Sequence, residues 1–199
     1  MAAQTGRNRL FKSLLRGEKV FLTPPDFGTD VAVYTDWCAD WDFWLAMHDD
    51  LYRTLTVSQV KKRLEDMEKE DVPAYQFAIH ALDDGRLVGW IRTDYILWSS
   101  RTMQFRMAIG DARERGKGFG KDALALMLRH GFDEMNFNRI SIPLVSYQVR
   151  ALTGLKQVGF QEEVRRREAV YREGKYWDEL LMGLLAAEWW QMQPQGEIV

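Results

Sequence analysis

Residues 115–121 read Arg115-Gly116-Lys117-Gly118-Phe119-Gly120-Lys121, three alternate glycines interleaved with basic side chains. An apolar, strand-like run precedes them, Thr102–Ile109. After them the pattern predicts a long amphipathic helix over 118–135, with Leu124, Met127, Leu128, Phe132 and Met135 on one face. The first backbone N–H groups of a helix have no acceptor within it, point the same way and sit at the positive end of its dipole. Glycine lets such a backbone approach a phosphate with no Cβ in between. Lys117 and Lys121 add point charges, so a pyrophosphate is the expected guest. The Walker spacing of two glycines and a Lys-Ser/Thr pair is absent. Nor does the loop follow the first strand of a βαβ unit with an acidic residue beyond it, which argues against a dinucleotide fingerprint.

Working outward, 19–23 reads as a short strand closed by Pro24-Pro25, and 28–48 carries apolar residues at helical spacing. Residues 57–69 predict a helix with Val60, Leu64 and Met67 on one stripe. Strands at 75–82 and 87–97 are joined by Asp83-Asp84-Gly85-Arg86, a hairpin signal, and 102–109 is a third strand. A buried strand at 139–145, a short helix at 149–157 and a last pair, 161–171 and 177–185, around Glu173-Gly174 complete the pattern. The class is α+β, one domain with a mostly antiparallel sheet. A meander of strands before the glycine loop excludes a doubly wound nucleotide fold. The expected limits are a flexible basic arm at 1–16 (Arg7, Arg9, Lys12, Arg16), a domain at 17–190 and a tail at 191–199.

Composition narrows the function. With 27 basic and 29 acidic residues among 199, the net charge is −2, without the broad positive field of a nucleic-acid binder. Cys38 is the sole cysteine, which excludes an internal disulfide and a cysteine-rich metal site, and no metal is expected. No apolar run approaches the ~20 residues of a bilayer span, so the expectation is a cytoplasmic protein without membrane contact. Eight tryptophans stand out. Trp37, Trp41 and Trp44 recur at i, i+4 and i+7, which places them on one helical face. As an open wall that face would suit an apolar or cationic substrate; as a core stripe it would do no chemistry.

The segment 115–120 resembles the Arg/Gln-x-x-Gly-x-Gly/Ala motif of the GNAT acyltransferases. Three further segments agree in order. Residues 105–110 resemble the strand before that motif, and 151–160, ending Val158-Gly159-Phe160, resemble the segment after the fifth strand. Residues 167–178, from Arg167-Glu168-Ala169 to Gly174-Lys175-Tyr176-Trp177-Asp178, are similar to the closing hairpin of the RimJ/RimL branch, the ribosomal-protein N-terminal acetyltransferases. The resemblance implies a sheet splayed into a V, with acetyl-CoA as cosubstrate. Its pyrophosphate would lie on Arg115, Gly116, Lys117, Gly118, Phe119, Gly120 and Lys121. Its pantetheine arm would pair with main-chain groups of Met107, Ala108 and Ile109, and Gln148 would stand at the family's Asn position. The implied reaction moves an acetyl group to a primary amine, a protein N-terminus or a small molecule, in a monomer or homodimer. Trp37, Trp41 and Trp44 would border the acceptor.

Transfer to an amine needs a proton acceptor for the amine, a donor for the developing oxyanion and often an acid for the thiolate. Where the family places a Glu base this chain has Gln104, and where it places a Tyr acid, Leu155. Neither exchanges a proton. Glu168 is the leading replacement, with Asp178, His80 and Asp94 behind it, although strand carboxylates are more often paired than catalytic. Tyr147 is near in sequence to the acid's position. Arg165-Arg166-Arg167 reads as a solvated surface. The losses also leave open a CoA-binding regulatory protein without turnover.

Overall fold

A computed structural model describes residues 15–48, 52–69 and 75–193. In chain order the elements are β1 (Val20–Thr23), α1 (Asp30–Trp37), α2 (Trp41–Met47), α3 (Val57–Lys69), β2 (Gln76–Ala81), β3 (Leu87–Leu97) and β4 (Thr102–Ile109). Then follow α4 (Phe119–Arg129), β5 (Arg139–Val145), α5 (Val149–Gln157), β6 (Gln161–Arg172), β7 (Lys175–Leu185) and α6 (Ala186–Met192). The expected α+β class and mostly antiparallel sheet are what the structure has. The strands form one seven-stranded sheet in the order β1-β2-β3-β4-β5-β7-β6.

Every neighbouring pair is antiparallel except β4 and β5. That pair is parallel because α4 carries the chain back across the sheet, as a parallel connection requires. Its register is short: Thr102↔Arg139, Met103↔Ile140 and Gln104↔Ser141. Beyond Gln104 the strands part, and the sheet opens between Phe105–Ile109 on one side and Ile142–Val145 on the other.

Alternation along β4 distributes its side chains between two cores. Met103 and Phe105 pack with Leu124, Leu128, Phe132 and Ile140 beneath α4. Ala108 faces the opposite core, where Tyr34, Phe43, Trp44 and Met47 from α1 and α2 meet Trp90 of β3. The Trp90 indole donates to Gln76 Oε1 at 3.1 Å, and Gln76 in turn donates to the Leu64 carbonyl at 3.1 Å. That chain of bonds satisfies the polar atoms in an otherwise apolar layer.

Three expectations are corrected. The helical spacing over 28–48 is two helices, because Asp40 adopts an extended conformation and caps α2, accepting from Phe43 N at 3.0 Å. Trp37 therefore belongs to α1 and the other two tryptophans to α2, so the three do not share one helical face. The helix expected over 118–135 is α-helical only to Arg129 and finishes as a π turn, His130–Glu134. The basic arm expected over 1–16 lies outside the described residues except at its end, and there Leu15 is buried and Arg16 bridges to Phe21. Packing thus begins before residue 17. Residues 194–199 of the expected tail and the side chain of Met67 also lie outside the described residues.

A distant contact anchors the first strand beside the glycine loop. The Asp122 carboxylate, in the first turn of α4, accepts from the backbone N–H groups of Glu18, Lys19 and Val20 at 3.2, 2.8 and 2.9 Å. Asp122→Ala strands those three donors and is expected to cost about 1–2 kcal/mol, read as a lowered midpoint in urea denaturation with an unchanged slope.

Candidate active site

The parting of β4 and β5 encloses a cavity of about 340 Å³. Arg106 of β4 lines one side, and Pro143, Leu144 and Val145 of β5 the other. Leu45 and His48, at the end of α2, close one wall, while Arg166, Ala169 and Val170 of β6 with Glu179 of β7 close another. The cavity therefore lies in the gap that the short β4–β5 register creates.

At the open end of this gap sits the glycine loop. Gly116 and Gly118 have φ of +83° and +93°, in the left-handed region that glycine enters without strain. A Cβ built on Gly116 meets nothing within 4 Å. Gly118 begins α4 with no side-chain cap, so the first N–H groups of the helix are presented to whatever lies against the loop. The loop's charges are held in place. Lys117 pairs with Glu114 at 3.1 Å, and Glu114 also meets Arg86 at 3.1 Å. Bonds from Lys117 and then Arg86 hold the Glu114 carboxyl below its usual range. Lys19 Nζ donates to the Lys117 carbonyl at 2.8 Å. Sequence reading missed this cation, since Lys19 lies far away in the chain and no local pattern marks it. Lys121 is exposed in the first turn of α4, and Phe119 packs beneath the Arg86 guanidinium, 5.6 Å from its ring centre. The residues here suit a pyrophosphate: a left-handed glycine turn, an uncapped helix start and three lysines within or beside the loop.

Other expected site residues have different surroundings. The Arg115 side chain turns back, donating to the carbonyls of Ile109 and Gly110 at 3.1 and 2.9 Å and meeting Asp40 at 3.1 Å. Met107, Ala108 and Ile109 lie on the stretch of β4 beyond its pairing with β5. Gln148 caps α5, and its side-chain oxygen accepts from Val145 N at 2.9 Å, tying the helix to the end of β5. Trp37 and Trp44 are core residues, 8 % and 0 % exposed, packed in the layer of Phe43 and Tyr34, so neither offers a ring face as a wall. Trp41 is half-buried against Tyr52. Leu155, at the family's acid position, is buried in the α4 core.

The proton-exchange candidates separate as clearly. Gln104 donates to Asp94 at 3.0 Å, and Asp94 also binds Arg106 at 2.6 Å and Arg92 at 3.4 Å. Asp94 is thus the hub of a paired network. His80 stacks on Phe21 and its Nδ1 lies 3.1 Å from the Gly85 carbonyl, in the β2–β3 turn. Asp178 pairs with Arg165 at 2.7 Å, which with the Glu168 N–H holds its carboxyl below the usual range. Glu168 is exposed in a bulge of β6 with φ of +54°, and its backbone N–H donates to Asp178 at 3.1 Å. Its backbone shapes the rim; its carboxylate is not among the groups lining the cavity.

His48, which no motif marked, is the imidazole on the cavity wall. It is 2 % exposed, with Nε2 3.2 Å from the Tyr34 hydroxyl and 4.0 Å from Cys38 Sγ. Burial pushes the Cys38 thiol up to about 12, against an opposing pull from Arg63, which makes it a poor nucleophile at neutral pH. Among the described residues no group of three or more His, Cys, Asp or Glu side chains is placed to hold a metal ion.

Residues 19–161 match the family model described as "Acetyltransferase (GNAT) domain". The chain belongs to the GNAT acetyltransferase family. Two relatives come from Bacillus subtilis (strain 168). The SPbeta prophage-derived uncharacterized N-acetyltransferase YokL is 23 % identical over 141 residues, 70 % of this chain and 77 % of that protein. The Probable N-acetyltransferase YjcK is 27 % identical over 141 residues, 69 % of this chain and 75 % of that protein. The fold is that of a spermidine N-acetyltransferase from Vibrio cholerae, solved with CoA and spermine, at a TM-score of 0.73 and 19 % identity over 86 % of this chain and 98 % of that one. As a family member the chain is an enzyme of the acetyltransferase class. Among the described residues no helix is long and apolar enough to cross a membrane.

The bulge yields a test that separates backbone from carboxylate. Glu168→Gly, free of the left-handed strain, is expected to match the native stability or exceed it by up to about 1 kcal/mol, and Glu168→Val to lose about 1–2 kcal/mol. Thermal unfolding measures both. Glu168→Gln is expected to keep turnover within about twofold; a loss of a hundredfold or more would assign the carboxylate to proton transfer.

Proposed function

We propose that this protein moves an acetyl group from acetyl-CoA to a primary amine by direct attack on the thioester. One observation carries the reading: the uncapped, left-handed glycine turn sits at the open end of a gap between two parted strands, with a polar-walled cavity within that gap. In this reading the N–H groups of Phe119, Gly120 and Lys121, with Lys117 and Lys19, hold the pyrophosphate. The main chain of Met107 to Ile109 receives the pantetheine arm. Acetyl-CoA supplies an activated acyl group; the protein's part is to seat it, exclude water and take the proton from the incoming ammonium.

For that proton we assign His48. It lines the cavity, its ring is fixed by the Tyr34 hydroxyl and by the Trp44 indole 4.3 Å away, and a neutral imidazole carries a ring nitrogen able to accept a proton. Gln104 cannot serve, and Asp94 is engaged by two arginines and the Gln104 amide. The acceptor within the amine class is assigned to an N-terminal amine rather than a polyamine. Support comes from the RimJ/RimL-like hairpin at 167–178, whose strand β6 contributes Arg166, Ala169 and Val170 to the cavity. The solution form is assigned as a cytoplasmic monomer. In support, residues 161–169 of the sheet-edge strand β6 are all exposed, it is twice bulged, and it carries many charges, features that discourage edge-to-edge pairing.

Two experiments test the reading. Calorimetry with CoA is expected to show binding by the wild type and at least about tenfold weaker binding by a folded Gly118→Asp, which sets a carboxylate against the phosphate site. Unchanged affinity would overturn the loop assignment. Mass spectrometry of a panel of peptides, polyamines and small amines incubated with acetyl-CoA is expected to give acetylated peptide N-termini. His48→Asn is expected to lower kcat by about 10²–10³ with CoA affinity retained. CoA binding without product from any amine would point instead to a regulatory protein.

A further inference from the structure

Beyond Gln104 no backbone pairing joins β4 to β5. At the open end of the parting, a chain of side chains crosses from one lip to the other. Arg115 stands on the β4 lip, fixed by the carbonyls of Ile109 and Gly110. Its guanidinium lies 3.1 Å from Asp40 and 3.8 Å from Asp42, both at the start of α2. Asp42 also accepts from Arg172 at 2.6 Å. The Arg172 guanidinium in turn lies 4.6 Å from the ring centre of Tyr147, just past the end of β5, and 5.9 Å from that of Trp41. The order across the gap is therefore β4 carbonyls, Arg115, Asp42, Arg172, Tyr147.

We propose that Asp42 is a positioning residue for the binding of CoA. By holding Arg115 and Arg172 together it sets the width of the gap that grips the pantetheine arm, and it ties α2, on the acceptor side, to the phosphate loop. This rests on the CoA reading above. Asp42 is a carboxylate beside a loop that receives a polyanion, so as a bare charge it opposes binding, and removing it strengthens binding. As a clasp it does the reverse, because main-chain hydrogen bonds to a ligand in the gap weaken steeply when the lips shift by a few tenths of an ångström. The Asp42 side chain is 49 % exposed and Arg172 19 %. With its carboxylate half exposed, the pair is screened by solvent and contributes modestly to global stability, so affinity can change without unfolding.

Calorimetry with CoA on the wild type, Asp42→Asn, Arg172→Gln and the double variant tests this. Each single change is expected to weaken CoA binding about three- to tenfold, and the double variant to be no weaker than the worse single one, since both break the same link. In turnover, KM for acetyl-CoA is expected to rise with kcat nearly unchanged, and the melting temperature to stay close to that of the wild type. Equal or tighter CoA binding by Asp42→Asn, or additive losses in the double variant, would overturn the clasp. If Arg172→Gln does not fold, the sign of the Asp42→Asn change decides alone. A wild type that binds no CoA would overturn the functional reading itself, a result distinct from either outcome for the clasp.

Discussion

The structure depends on one constraint, the parting of β4 and β5 after three residue pairs. A parallel pair that stays in register would bury both strands and leave no room between them. Parting exposes main-chain groups along the facing edges, and buried or half-buried backbone polar groups need partners. The molecule answers with side chains brought from elsewhere. Arg115 covers the carbonyls at the end of β4, and the side-chain oxygen of Gln148 accepts the N–H at the end of β5. Between them the facing edges have no strand pairing across the gap.

That opening is tolerable because each half of the sheet has its own apolar support. Beneath α4, Phe105, Leu128, Phe132 and Ile140 bind β4 to β5 near the closed end, where the pairing still holds. On the other face, α1, α2 and α3 cover β2 and β3 through Tyr34, Trp44 and Trp90. Helix α2 also reaches toward the second half of the sheet: Leu45 and His48 face the same cavity as Ala169 and Val170. The helices thus do the joining that hydrogen bonds give up. The bulged edge strand β6 bends over the cavity, and the left-handed backbone at Glu168 accompanies that bend.

Much of this was legible in the chain. The helices at 57–69 and 149–157 follow from the 3.6-residue period of their apolar residues, and the strands at 102–109 and 139–145 from short apolar runs bounded by polar turns. The glycine loop was legible because its chemistry is local: alternate glycines and a helix start need no distant partner. The break at Asp40 carried a readable signal, an aspartate at an N-cap position, but the apolar spacing running through it masked the stop. The terminal π turn had none that periodicity could register.

Local periods and turns, each spanning a few residues, specify the fold class, the meander before the loop and the glycine turn that opens α4. What each polar group does was set by packing between distant parts of the chain. Lys19 joined the loop, His48 came to the cavity wall and Asp42 came between two arginines through contacts of residues far apart in the chain. Likewise Trp37 and Trp44 became core rather than wall once α1 and α2 separated. Side-chain roles of this kind depend on which neighbours compete for the same atoms, and that competition exists only after the layers have packed.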